Sequence, residues 1–368
     1  MTQSVRQAAG SLLVVGLGVT ELTALERAWL KLVRPAGIIL FRRNIADAKQ
    51  TRSLLGQATA FCAPHPLRCV DVEGGTVDRL RDALAPMASA QAVARAARIL
   101  GKPRLAREHA ELIARGVKAF GFNTTLAPVL DLGLPESAEV MGTRCAGVSG
   151  AEVVEYAKEF LTGLSAQHVM GCAKHFPGLG GGTRDSHLET PSIARTWEQL
   201  WDQDLEPYRA LCDQIPMVMI NHAAYPETAG KKRPASVSRF WIQSVLRQRI
   251  GYRGIILSDD LEMGGVLKFM PIEDAAVEAV RAGTDLVEIC HSAELILRAY
   301  EALIAEGERS AAFRRLLVER ARQSERKRKR FVGGKVSPAL NAPQFEALRE
   351  RVLRFGETVA STQEAARA

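Results

Sequence analysis

Short apolar runs of strand length recur along the chain, and between them the apolar residues repeat at helical spacing. The runs are Leu12–Val19, Gly37–Phe41, Cys69–Val72, Asn123–Leu132, Gly171–His175, Met217–Asn221, Gly254–Ser258 and Asp285–Cys290, eight in all. They are continuous and rich in Val, Ile and Leu, the pattern of strands buried on both faces of a parallel sheet. In Glu152–Leu164, Val153, Ala157, Phe160, Leu161 and Leu164 share one face of a helix. Thr196 followed by Gln199 is a capping-box pattern, and Pro271 and Gly283 bracket a further helix. Eight β–α alternations predict a closed (β/α)8 TIM barrel, a single domain over residues 1–368 with a helical C-terminal tail from about residue 330. An open doubly wound sheet is the alternative. The distinction matters, because a barrel carries its chemistry on the loops after the C-terminal ends of its strands.

Composition narrows the class without changing the fold. Hydrophobic residues make up 47% of the 368, enough for a large core. Lys and Arg outnumber Asp and Glu by 49 to 41, a net charge of +8, and only Arg326–Arg330 forms a basic run. That run is expected on the solvated face of a late helix, so no nucleic-acid partner is implied. The six cysteines form no C-x-x-C pair and read as free thiols suited to a reducing compartment. Residues 8–19 are apolar, but one positive charge precedes them and no small-x-small cleavage site follows, so they read as the first buried strand. No apolar stretch is long enough to span a bilayer. The expectation is a cytoplasmic monomer acting on a small molecule, with no membrane partner and no cofactor.

Polar residues collect at the predicted strand ends: Asp71 through Gly75, Asp131 with Arg144 in the loop beyond, Lys174-His175, Asn221-His222 and Ser258-Asp259-Asp260. One acid in such a place often caps the next helix. Charges converging from five strand ends point instead to a site. For Asp259 the two readings are a helix cap and a carboxylate nucleophile that attacks an anomeric carbon. Gly178 to Gly182 holds four glycines in five positions, a loop free to cover a ligand. A phosphate cradle would need a Gly-Lys-Ser/Thr ending, which is missing. Asp185 lies two residues before His187, so its carboxylate can orient the imidazole and raise its basicity. A metal held by His175, Asp185, His187 and His222 is disfavoured by Lys174 and by the lack of an H-x-x-x-H pair, so no metal is expected.

At these residues the sequence resembles glycoside hydrolase family 3, in the branch of bacterial β-N-acetylglucosaminidases. The sharpest element is Lys174-His175-Phe176-Pro177-Gly178-Leu179-Gly180, four residues, then Asp185-Ser186-His187. Asp71–Gly75, Ala127–Asp131, Pro234–Ser238 and Gly254–Leu261 follow the family in order. The resemblance implies a barrel that performs retaining, two-step hydrolysis of terminal β-linked N-acetylglucosamine, with Asp259 as nucleophile. His187, oriented by Asp185, would be the acid/base. Asp71, Arg144, Lys174 and His175 would bind the sugar, and muropeptides from peptidoglycan recycling would be the substrate. Two departures stand out: Val72 where the branch has Gln, and Thr76 where it has Arg, with Arg79 and Arg81 nearby. A phosphorylase on the same site and a catalytically silent sugar-binding barrel are the rival functions.

Overall fold

The computed structural model describes residues 4–182, 190–334 and 337–366. Each predicted apolar run overlaps a strand: β1 Leu13–Gly16, β2 Gly37–Leu40, β3 Leu67–Val70, β4 Thr124–Thr125, β5 Met170–Phe176, β6 Met217–Ile220, β7 Ile255–Asp260 and β8 Leu286–Ile289. They are all parallel, and β8 closes on β1 through Leu13↔Val287, Val14↔Glu288 and Val15↔Ile289. The barrel is therefore closed, and the open-sheet alternative falls. β4 is short because the chain after it runs irregularly along β5, with the Leu130 amide donating to the Lys174 carbonyl at 2.6 Å.

Strand alternation explains how the barrel builds its pocket. Val14, Ile39, Cys69, Cys172, Leu257 and Leu286 point inward and pack together, whereas Leu13, Val15, Val287 and Ile289 pack outward against helices. Two residues beyond the last inward apolar positions of β3, β5 and β7 lie Asp71, Lys174 and Asp259. The inward row that is apolar at mid-barrel becomes polar at its C-terminal mouth. A short hairpin, Val72–Gly74 with Val77–Asp78, follows β3 at this end. Gly74 makes it possible, since φ is +91° and a Cβ would lie 2.0 Å from the Ala88 carbonyl oxygen.

The helices follow the sequence signals. The helix Gly150–Ala166 buries Val153, Ala157, Phe160, Leu161 and Leu164. The helix Ile272–Ala282 starts after Pro271 and ends at Gly283 in the left-handed region. The Thr196–Gln199 capping box forms, but the helix it opens soon passes into a π-helical stretch, Leu200–Asp204. Beyond residue 292 the described chain forms the helices Ala293–Arg309, Ala311–Val332 and Ala342–Ala365. The last of these buries Leu348, Val352, Phe355 and Val359. Among the described residues no helix is long and apolar enough to cross a membrane.

Two expectations need correction. Residues 8–10 end a helix, Val5–Gly10, because Ser4 and Gln7 form a capping box; the strand begins only at Leu13. The basic run is not wholly solvated. Arg326, Lys329 and Arg330 are exposed, but Arg328 is buried and donates to the carbonyls of Ala36, Pro64 and His65 at 2.7–3.2 Å. Lys327, with Arg247 and Arg320, pairs with buried Asp285 at the foot of β8. These cations close the lower end of the barrel.

Candidate active site

The mouth of the barrel holds a cavity of about 170 Å³ lined by Asp71, Lys174, Asp259 and Glu288, with Arg144 and His175 on one wall. All five described residues of the predicted site therefore meet in one place. Asp185 and His187 lie outside the described residues.

One ionic network organises most of the wall. Arg144 donates through Nε and Nη2 to the two oxygens of Glu73, at 2.8 and 2.9 Å, the fork geometry that suits a carboxylate. Lys174 Nζ donates to Asp71 Oδ1 at 2.7 Å and pairs with Glu73 Oε1 at 2.6 Å. Burial pushes Glu73 up, but Arg144 and Lys174 outweigh it and hold its carboxyl well below the usual range. Burial likewise pushes Lys174 down, and Asp71 and Glu73 outweigh it, so the ammonium is held above its ordinary value. Both stay charged because each burial cost is met by an opposite charge in contact.

His175 is fixed on both sides. Its Nδ1 lies 2.6 Å from Asp131 Oδ2, and its Nε2 lies 3.2 Å from Arg144 Nη2. Arginine can only donate, so Nε2 accepts and the ring is the neutral Nδ1–H tautomer. Asp131 also accepts from the backbone amides of His175 and Leu179, at 3.1 and 2.7 Å. It thus ties the end of β5 to the first turn of the glycine loop. Tyr225 adds a second tie, its hydroxyl donating to the Gly178 carbonyl at 2.7 Å.

Asp259 stands on the opposite side, partly open to the cavity. It does not cap a helix: the next one, Gly264–Leu267, has Met263 at its N-cap and no side-chain cap. Its Oδ1 accepts from the Asp260 amide at 2.9 Å. Burial, the largest influence, pushes the Asp259 carboxyl up, but His222, that amide and Lys174 help to hold it below its ordinary value. His222 is itself set by its neighbours. Its Nε2 donates to the Asp260 carbonyl at 2.9 Å, and its Nδ1 lies 2.7 Å from Ser236 Oγ. The segment Pro234–Ser238 therefore acts through an imidazole facing the carboxylate.

Asp260 has a structural job. Its Oδ1 accepts from the amides of Glu262 and Cys290, at 3.0 and 3.2 Å, joining the ends of β7 and β8. Burial, with Glu262 and Asp259 nearby, raises its pKa to about 7. Asp260, Glu262 and His291 bring three possible metal-donor atoms within 4.8 Å of one another. Glu262, however, already accepts from the Ser292 amide at 2.6 Å, and the Arg43 cation faces it. The two described histidines of the metal alternative are also engaged, His175 with Asp131 and His222 with Ser236.

The position of Thr76 is answered from close by. Arg79 lines the cavity and approaches Asp71 Oδ2 at 3.8 Å, so a guanidinium reaches this wall from the far side of the hairpin. The sequence reading assigned no role to Glu73, Asp131 or Glu288. Glu73 and Glu288 lie on the inward row of their strands, a parity that was readable. Asp131 had no such signal, since the chain around it is irregular.

A parallel (β/α)8 barrel with a buried carboxylate and a fixed ionic wall at its C-terminal mouth defines the class: a barrel enzyme whose cavity suits one polar ring. Residues 4–320 match the Glycosyl hydrolase family 3 N terminal domain, and the chain belongs to glycosyl hydrolase family 3. It is 34% identical over 279 residues to a β-hexosaminidase of Idiomarina loihiensis, covering 76% of this chain and 83% of that one. A family 3 β-N-acetylglucosaminidase from Paenibacillus sp. FPU-7 superposes with a TM-score of 0.85 at 30% identity, covering 96% of this chain and 69% of that one. NagZ from Neisseria gonorrhoeae in complex with N-trifluoroacetyl-D-glucosamine superposes with a TM-score of 0.78 at 26% identity, covering 96% and 97%.

Proposed function

We propose that the chain is an exo-acting, retaining β-N-acetylglucosaminidase that releases terminal β-linked N-acetylglucosamine. The carrying observation is Asp259: a carboxylate held ionised at the rim of a one-ring cavity, opposite a wall of donors and acceptors. In the first step an Asp259 oxygen bonds to the anomeric carbon as the glycosidic C–O bond breaks. The leaving oxygen takes a proton from His187, which Asp185 orients. In the second step water attacks the same carbon, His187 takes its proton, and Asp259 departs. Asp71, Arg144, Lys174 and His175 hold the sugar. Lys174 has two of its three donors committed, to Asp71 and Glu73, which leaves one for a hydroxyl. Named relatives support the sugar: a β-hexosaminidase at 34% identity and a neighbour crystallised with an N-acylated glucosamine. Muropeptides from peptidoglycan recycling are the natural substrate in this reading. A cytoplasmic monomer completes it, supported by six free thiols, five of them buried.

Turnover of p-nitrophenyl β-N-acetylglucosaminide is the direct assay. Asp259→Ala is expected to lower kcat by about 10³-fold or more, and a 2-deoxy-2-fluoro- or 5-fluoro-sugar should leave a mass adduct on Asp259 in the wild type. Activity surviving in that variant sinks the nucleophile assignment. His187→Ala is expected to hurt substrates with poor leaving groups more than aryl glycosides; equal losses would remove its acid/base role. Release of the sugar 1-phosphate in phosphate buffer would turn the reading to phosphorolysis.

A further inference from the structure

The inward row of β8 runs Leu286, Glu288, Cys290, and its outer members belong to the apolar barrel interior together with Val14, Met219 and Leu257. Glu288 interrupts that interior at only 2% exposure. Strand pairing sets it beside Val14 on one side and Asp260 on the other. It lines the same cavity as Asp71, Lys174 and Asp259. Its amide donates to Ser258 Oγ at 3.0 Å, which fixes the backbone. The carboxyl is less well served. Among the described residues Oε1 meets only the Cys290 thiol, at 3.4 Å, and Oε2 is buried with no hydrogen-bond partner.

An unpaired buried oxygen lowers stability, and a leucine in this layer would remove the penalty. Groups that break the packing rule in this way are found where a ligand completes them. We propose that Glu288 is a specificity-determining residue that reads a hydroxyl of the bound terminal sugar from the floor of the pocket. The inference rests on the sugar-binding reading above.

The chemistry matches a hydroxyl, which both donates and accepts. Burial, and then the negative charges of Asp260, Asp71 and Asp259, push the Glu288 carboxyl well above its ordinary range. It therefore presents an O–H and a C=O together. As a carboxylate it could only accept, and it would set another negative charge beside Asp259. The terminal carboxyl torsion is soft, so either oxygen can turn to meet a ring substituent. The same wall of acids repels a sugar carrying a negative group at that position.

The full chain is compared with Glu288→Leu, Glu288→Met and Glu288→Gln. The substrates are p-nitrophenyl β-N-acetylglucosaminide and its analogues lacking one ring hydroxyl each, and free N-acetylglucosamine is titrated alongside. The two apolar variants are expected to raise KM, and the dissociation constant of the free sugar, roughly tenfold. Their thermal midpoints should be unchanged or raised, because the orphan oxygen has gone. Glu288→Gln, able to donate and accept, should recover most of the loss. Against one deoxy analogue, the one lacking the hydroxyl that Glu288 reads, wild type and the apolar variants should converge. Unaltered KM and sugar affinity in both apolar variants, or one uniform loss across all the analogues, overturns the proposal. Wild type that turns over no N-acetylglucosaminide defeats the hydrolase reading separately. The sugar titration then decides on Glu288 alone, and equal affinities in wild type and variants overturn it.

Discussion

Asp131 shows how much one buried carboxylate can organise without touching a sugar. It accepts from two backbone amides and one imidazole, all at the junction between β5 and the glycine loop. Asparagine is nearly isosteric but offers one acceptor oxygen in place of two and adds an N–H group where donors already converge. Asp131→Asn is expected to lower kcat/KM roughly ten- to a hundredfold, at a stability cost of about 1–3 kcal/mol. Steady-state kinetics paired with thermal melts separates the two effects. A loss of stability without a kinetic change would reduce Asp131 to packing.

At the scale of an element, the helix Ala311–Val332 divides its basic run between two tasks. Arg328 faces inward and satisfies three carbonyls at the lower rim of the barrel, and burial pushes its pKa down to about 10. Arg330 is exposed. Arg328→Met leaves those carbonyls unpaired in a dry setting and is expected to destabilise by roughly 2–4 kcal/mol. Arg330→Ala should stay within about 0.5 kcal/mol of wild type. Urea unfolding of the pair checks this; equal effects would mean that the run acts only as surface charge. The helical spacing did imply that the five cations cannot all share one face, yet charge alone pointed the whole run to water.

At the scale of the molecule, the last helix is tied to the body through a buried histidine. His109 stacks on Phe355 with ring centroids 5.8 Å apart, and its Nδ1 lies 3.0 Å from the Tyr156 hydroxyl. Burial lowers its pKa to about 4. The unfolded chain binds a proton near pH 6.5, well before the folded one does. The stability tied to a neutral His109 is therefore complete above about pH 6.5 and is lost as the pH falls toward 4. Wild type should weaken steeply over that window, and His109→Phe less so, which makes the difference between them shrink from pH 7 to pH 4.5. Chemical unfolding at both values tests it, and a constant difference would exclude His109 as the titrating group.

The barrel was legible in the sequence because eight strands buried on both faces leave eight continuous apolar runs, and the helices carry their own periodicity and caps. Asp71, Lys174 and Asp259 were legible because their strands end in polar residues. The N-terminal helix was missed because Ala8-Ala9-Gly10 is as apolar as a strand, and only its capping box reveals it. Closure was decided by tertiary structure, since the pairing of Val14 with Glu288 joins residues from the two ends of the barrel sequence. So was the neutral tautomer of His175, which depends on Asp131 and Arg144 reaching it from different loops. Glu288 shows the division most sharply. By itself the sequence places one acid at an inward position of an apolar run; only the closed barrel sets that acid beside Asp260, Asp71 and Asp259, where three like charges and the exclusion of water change what a carboxyl can do.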